Sequence, residues 1–139
     1  PNSEDQLNGL ALDPAGQLWA AGQTRSADFP ATPGSYDPTF GAGCQPIPCR
    51  DAFVARLSTA GSQLDYATFL GGPDEDSALG LAAVGAEVVA VGRSRSADFP
   101  RCNAFYGDAS GDYDLFALRL RPAGPGGPPC LYLPVILLG

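Results

Sequence analysis

Apolar and polar residues alternate along short stretches of this chain, and the stretches fall into two sets of four. In an extended chain Phe53, Ala55 and Leu57 share one side, with Val54 and Arg56 on the other. Phe116, Leu118 and Leu120 repeat that side, and Ala117 and Arg119 its opposite. Strands are therefore predicted at 52–57 and 115–120. Short apolar runs bounded by turn residues such as Asp13-Pro14-Ala15-Gly16 and Thr59-Ala60-Gly61-Ser62 predict further strands at 7–13, 17–22 and 64–70 in the first half. The second half adds strands at 78–84, 88–92 and 131–137. Helix competes with strand over 78–91, which is rich in Ala, Leu and Val, but Gly80 and Gly85 and the matching Pro-containing turn of the first half decide for strand.

The two sets are copies of one another. Gly22-Gln23-Thr24-Arg25-Ser26-Ala27-Asp28-Phe29-Pro30 returns as Gly92-Arg93-Ser94-Arg95-Ser96-Ala97-Asp98-Phe99-Pro100, with Arg-Ser-Ala-Asp-Phe-Pro identical. Upstream, 7–13 matches 78–84 and 17–21 matches 87–91, with the intervening turn one residue shorter in the second copy. Downstream, 51–57 matches 114–120. The first copy carries extra residues over about 31–50, including Cys44-Gln45-Pro46-Ile47-Pro48-Cys49. Insertions between matched strands belong in loops.

Four short strands per copy, in tandem, are the mark of radial β architectures whose four-stranded sheets stack face to face. The expected fold is all-β: two four-stranded antiparallel blades of a β-propeller, an incomplete ring. The first blade covers 1–72 and the second 73–139, with an atypical last strand. Since propellers have about four to eight blades, these are expected to be the last blades of a longer chain. The opening Pro1-Asn2-Ser3-Glu4-Asp5, without an initiator methionine or a signal-like apolar segment, agrees with an N-terminus further upstream.

Residues 9–30, then Asp51-Ala52-Phe53-Val54-Ala55-Arg56-Leu57, then Tyr66-Ala67-Thr68-Phe69-Leu70-Gly71-Gly72, resemble the SBBP-type β-propeller repeat of bacterial secreted and surface proteins. The resemblance spans nearly the whole chain and implies a propeller domain without catalytic function. The second copy departs from it, with Ala83-Val84-Gly85-Ala86 in place of the Asp-Pro-Ala-Gly turn and Leu131-Tyr132-Leu133-Pro134 in place of the closing strand. Terminal repeats are commonly atypical.

Composition narrows the class. Gly (18) and Pro (14) make up more than a fifth of the 139 residues, but 45% hydrophobic content separates the chain from disordered Pro/Gly-rich tracts. The net charge of −7, from fifteen acidic residues against eight arginines, argues against a nucleic acid partner. The chain has no histidine, which removes the commonest general base and metal ligand. No apolar run reaches the length of a membrane span, the longest candidate being 130–139 with Pro134 inside it.

Each candidate site has a structural role as its rival. The repeated loops display Arg25 and Arg95 beside Asp28, Phe29, Pro30 and Asp98, Phe99, Pro100. A ring of equivalent binding sites is conceivable, but the preferred role is structural: the phenylalanines packing between blades, the prolines fixing chain direction, and Ser or Asp bonding local backbone. Asp108, Ser110, Asp112 and Asp114 alternate as calcium ligands would, yet the stretch lacks the EF-hand glycine and glutamate, so a solvated turn is preferred and calcium kept as the alternative. Pro73-Asp74-Glu75-Asp76 is read as a solvated acidic turn as well. Cys44 and Cys49 are expected to close a small disulfide loop in an oxidising compartment, leaving Cys102 and Cys130 as the other pair. Zinc is the less favoured alternative, for want of the usual spacing and of histidine.

Catalytic motifs are lacking: no Gly-x-Ser-x-Gly elbow and no glycine loop before a lysine. Asp28, Asp98 or Asp65 would need a second carboxyl at a set separation to act as glycosidases do, and nothing in the sequence brings one near. The expected function is a structural or binding propeller outside the cytoplasm, without a cofactor. Its partners would be upstream blades of the same chain and a protein or glycan ligand. A carbohydrate-active propeller, with catalytic acids largely beyond these residues, is the alternative. Calcium-dependent adhesion through the acidic loops is a third reading.

Overall fold

Seven strands form two antiparallel sheets in a computed structural model that describes residues 4–41, 43–99 and 112–122. Strands β1 (Asp5–Leu12), β2 (Leu18–Thr24), β3 (Asp51–Leu57) and β4 (Leu64–Leu70) make one sheet in the order β1-β2-β3-β4. Strands β5 (Asp76–Val84), β6 (Glu87–Ser94) and β7 (Asp114–Leu120) make the other, in the order β5-β6-β7. Seven of the eight expected strands are present, and no helix occurs among the described residues. The second sheet thus shows three strands where four were expected; the expected strand at 131–137, with Pro100, Cys102, Asp108 and Cys130, lies outside the described residues.

Register repeats as closely as sequence does. Gly22 pairs with Phe53 and Gly92 with Phe116, while β1 bulges between Leu7 and Gly9 and β5 between Ala78 and Gly80. Glycine at position 22 is required, because a Cβ there would collide with the Gln6 carbonyl. The Ser26-Ala27-Asp28-Phe29 turn closes by Phe29 N–H donating to the Ser26 carbonyl at 3.0 Å, and Phe99 donates to Ser96 at 3.2 Å. In both copies a hydroxyl two residues upstream accepts the serine amide: Thr24 Oγ1 from Ser26 at 2.9 Å, Ser94 Oγ from Ser96 at 3.0 Å. The repeated loop is therefore a self-bonded turn, its amides held by a backbone carbonyl and by the Thr24 or Ser94 hydroxyl.

The sheets stack through a shared core. Trp19, Ala21, Ala52, Val54, Tyr66 and Leu70 from the first meet Ala78, Val88, Ala90, Phe116, Leu118 and Leu120 from the second, with Phe99 closing the end. The first strands of the two sheets, β1 and β5, approach closely at Gly9, where a Cβ would lie 3.3 Å from the Gly80 Cα, and Asn8 Nδ2 donates to the Ala78 carbonyl at 2.8 Å.

Opposite faces of the two copies are used. The second sheet buries the face of Phe116, Leu118 and Leu120, whereas the first covers that same face, Phe53 and Ala55, with Phe29 and Ala67. Residues whose counterparts are buried consequently stand exposed on both outer surfaces. Leu10 is 57% and Leu12 68% exposed on the first sheet. On the second, Val91 and Leu115 are 45% and 53% exposed, although their counterparts Ala21 and Ala52 have no exposed surface.

The extra segment of the first copy covers an edge. Thr32 N–H donates to the Ala67 carbonyl at 2.9 Å and Phe69 N–H to the Asp37 carbonyl at 2.9 Å, so the segment caps the outer strand β4, which would otherwise present unpaired backbone groups. Further along, Cys44 and Cys49 form the expected disulfide, with a Cα separation of 5.1 Å. No helix among the described residues is long and apolar enough to cross a membrane.

Candidate functional site

The ends of β3, β4 and β5 meet at Gly71-Gly72, and three carboxylates gather there. Asp51 begins β3, Asp76 begins β5, and Asp37 comes from the segment along β4. Asp51 and Asp76 are 0% and 1% exposed. Both turn toward Gly71: a Cβ on that glycine would lie 2.8 Å from Asp76 Oδ2 and 3.0 Å from Asp51 Oδ1. Glycine is thus the residue that lets two carboxylates from different sheets share one space.

Backbone amides hold half of this cluster. Gly41 N–H donates to Asp51 Oδ2 at 2.8 Å, and Gly72 N–H donates to Asp76 Oδ2 at 2.9 Å, where Ser96 Oγ also donates at 2.7 Å. The remaining oxygens, Asp51 Oδ1 and Asp76 Oδ1, are buried without a hydrogen-bond partner among the described residues. Buried polar groups are ordinarily paired, so each of these orphaned carboxylate oxygens calls for an explanation. The chain packs tightly around them. A Cβ at Gly41 would collide with the Gly72 carbonyl, one at Gly43 with the Pro73 carbonyl, and one at Gly72 would lie 2.5 Å from Asp98 Oδ1.

Burial dominates the electrostatics. Desolvation pushes the Asp51 carboxyl up to about 8, outweighing the Gly41 amide, with the Asp76 and Asp37 charges adding to the rise. Asp76 is raised to about 6, again by burial, with its polar neighbours Ser94, Gly72 and Ser96 working against it. Burial also raises Asp37, against hydrogen bonds from Thr39 and the Gly71 backbone. Among the described residues the arginine ion pairs go elsewhere. Arg25 and Arg50 both reach Glu4, at 2.6 and 3.0 Å, and Glu75, at 3.8 and 3.7 Å. Arg119 and Arg121 pair with Glu87.

A polar cavity of about 30 Å³ adjoins Asp76, lined also by Gln23, Arg50, Glu75, Ser77, Arg93 and Tyr113. Such a volume is large enough to admit water. Arg93 lies over the Tyr113 ring, 4.5 Å from its centroid, and Arg95 lies 5.4 Å away.

The sequence-derived candidates fall into two groups. Phe99 lies in the core between the sheets, 4.7 Å from Phe116, whereas Phe29 packs on the outer face of its own sheet rather than between sheets, 4.7 Å from Phe53, centroid to centroid. Asp28 and Pro30 are exposed, and Asp98 is exposed beside Gly72. Asp112 lies in an exposed bend, while Asp114 is buried at the start of β7 opposite Ser94. Asp65, exposed at the start of β4, accepts a hydrogen bond from Gln17 Nε2 at 2.8 Å.

The acidic turn at 73–76 needs correction. Only Asp74 fits a solvated turn; Glu75 pairs with two arginines, and Asp76 is a buried strand residue, because stacking of the sheets closes over the start of β5. Sequence reasoning also passed over Asp51. The available signal was positional: Asp51 and Asp114 open the third strand of each copy, and Asp5 and Asp76 open the first. Asp5 shows the same local partners, accepting from Thr24 Oγ1 and from Ser26 Oγ at 3.0 Å. Comparison with known proteins adds no family: no protein-family model matches the chain, and no curated protein does.

Proposed function

We propose that the chain forms two consecutive blades of a β-propeller of the SBBP-repeat type, a non-catalytic structural or binding module of a secreted or surface-exposed bacterial protein. One observation carries this reading: the face that the second sheet buries against the first is repeat-equivalent to the first sheet's own outer face. Leu10 and Leu12 are the counterparts of Leu81 and Ala83, which pack against the shared core, while Val91 and Leu115 are the counterparts of fully buried Ala21 and Ala52. A contact of this head-to-tail kind can be repeated at both ends, and it closes into a ring where the rotation per unit permits. Exposed apolar residues on both outer faces supply the surfaces that further blades would cover.

In this reading the Cys44–Cys49 disulfide suits an oxidising compartment. The acids of the blade junction serve the architecture, and a protein or glycan ligand would be met by loops. Electron cryo-microscopy of the protein as its cells secrete it provides the test. A ring of four-stranded sheets, with Leu10 and Leu115 buried at successive junctions, is the expected result. A closed two-sheet unit with both residues in solvent would overturn the propeller, and glycan turnover that depends on an acid of this chain would overturn the non-catalytic assignment.

A further inference from the structure

Each sheet presents to solvent a face that its repeat counterpart buries. Leu7, Leu10 and Leu12 form an apolar stripe along β1, each more than half exposed, while their counterparts Ala78, Leu81 and Ala83 pack in the shared core. On the far side of the second sheet Val91 and Leu115 stand exposed, whereas Ala21 and Ala52, their counterparts in the first sheet, are sealed in the contact between sheets. The two open faces are thus, position for position, the two halves of the contact that already holds the sheets together.

A glycine adds an independent sign. Gly9 faces the second sheet, and a Cβ there would press on the Gly80 Cα at 3.3 Å. Gly80 repeats that glycine on the outer side of the second sheet, yet a Cβ at Gly80 would meet only Val91 Cγ2, at 3.7 Å, among the described residues. Gly80 does not take a positive φ either. Glycine inside a strand weakens it and marks the close approach of another backbone, and no such backbone from the described residues reaches the outer side of Gly80.

We propose that a second copy of this chain docks there, so that copies join head to tail, the face of Val91 and Leu115 on one covering the Leu7, Leu10 and Leu12 stripe of the next. The inference rests on the same head-to-tail contact as the propeller reading but names its own occupant, because one chain carries both halves of the contact. Contacts of this kind close into a ring where the rotation permits and otherwise continue as a filament. With two sheets per chain, a ring of about four to eight blades would take about two to four copies.

The test is sedimentation of the full chain from dilute to millimolar solution, at physiological ionic strength, where repulsion between chains of net charge −7 is screened. The mass is expected to rise with concentration to about twice that of a single chain or more. Leu10→Glu and Leu115→Glu place charges on side chains that are more than half exposed, so both sheets should remain folded by circular dichroism. Either variant alone should sediment as a single chain, since one half of the contact is spoiled. Mixed in equal amounts they should pair, the intact Leu115 face of one meeting the intact Leu10 face of the other. A face-to-face dimer would instead leave one variant associating by itself, which overturns the proposal. Folded variants that fail to combine also overturn it, as does a wild type that keeps the single-chain mass throughout, a measurement that needs no variant. A chain that stays single while the secreted protein shows a ring of four-stranded sheets overturns self-assembly and leaves the propeller reading standing. Head-to-tail copies without such a ring do the reverse.

Discussion

Phe99 packs on Phe116 with ring centroids 4.7 Å apart and planes inclined by 30°. Its repeat counterpart Phe29 packs on Phe53 at the same distance and at 38°. A turn residue thus carries its contact with the third strand from one copy to the next. What changes is the cover: Phe99 is sealed between the sheets, 1% exposed, whereas Phe29 lies partly open on an outer face.

The two phenylalanines should therefore differ in weight. Phe99→Ala is expected to lose about 3–5 kcal/mol of stability through lost burial and a residual cavity. Phe29→Ala should lose distinctly less, since part of its ring is already solvated. Urea unfolding of both variants checks this, and equal losses would contradict the burial difference.

Stability in metal-free buffer should fall as pH rises. Asp51 titrates at about 8 in the folded protein and near 4 when unfolded. Between these values the folded state binds more protons than the unfolded state, so raising the pH favours unfolding. The decline should run from about pH 4 to pH 8 and level off above it, with Asp76 contributing up to about 6. In Asp51→Asn the part of the decline above pH 6 should disappear. Tm measured against pH in chelator-treated buffer provides the readout.

Within the inserted segment, Gly41 and Gly43 should be far less replaceable than Gly34, which lies in an open turn. Alanine at Gly41 or Gly43 meets backbone carbonyls at Gly72 and Pro73, which cannot move without parting the loop from the joint. Losses of about 2 kcal/mol or more are expected, through forced backbone shifts. Gly34→Ala meets no atom within 4 Å but keeps a positive φ of 75°, and should cost about 1 kcal/mol. Denaturant midpoints of the three variants order them.

Reduction of Cys44–Cys49 should be tolerated. The bridge spans a sequence separation of 5, and loop-closure entropy for so short a ring amounts to roughly 2 kcal/mol. Peptide masses with and without reductant should show the linkage, and Tm should drop by several degrees without loss of the strand signal in circular dichroism.

Much of the fold could be read directly. The alternation of Phe53, Ala55 and Leu57 against Val54 and Arg56 located β3, and its repetition in β7 showed that one sheet design occurs twice. Asp13 and Gly16 marked the first turn, where the Asp13 carboxylate accepts from the Ala15 and Gln17 amides at 2.9 Å each and Gly16 adopts a φ of 81°. The candidate site was hardly legible. Asp51 and Asp76 are separated by twenty-five positions and belong to different repeats, so the joint they share is a property of the boundary between copies, which a search for what each copy contains does not reveal. The extra residues at 31–50 were recognised as an insertion, but not as the cover of β4 and the donor of the Gly41 amide.

The sequence by itself determined the strands, their two-residue periodicity, the duplication and the self-bonded Ser-Ala-Asp-Phe turns, because each depends on neighbours a few residues apart. Tertiary structure alone decided which face of each sheet is buried, and which acids lose contact with water. An aspartate at a strand start is solvated or buried according to what stacks on it. Here the second sheet closes over the end of the first, and Asp51 and Asp76 are enclosed together beside a glycine too small to separate them.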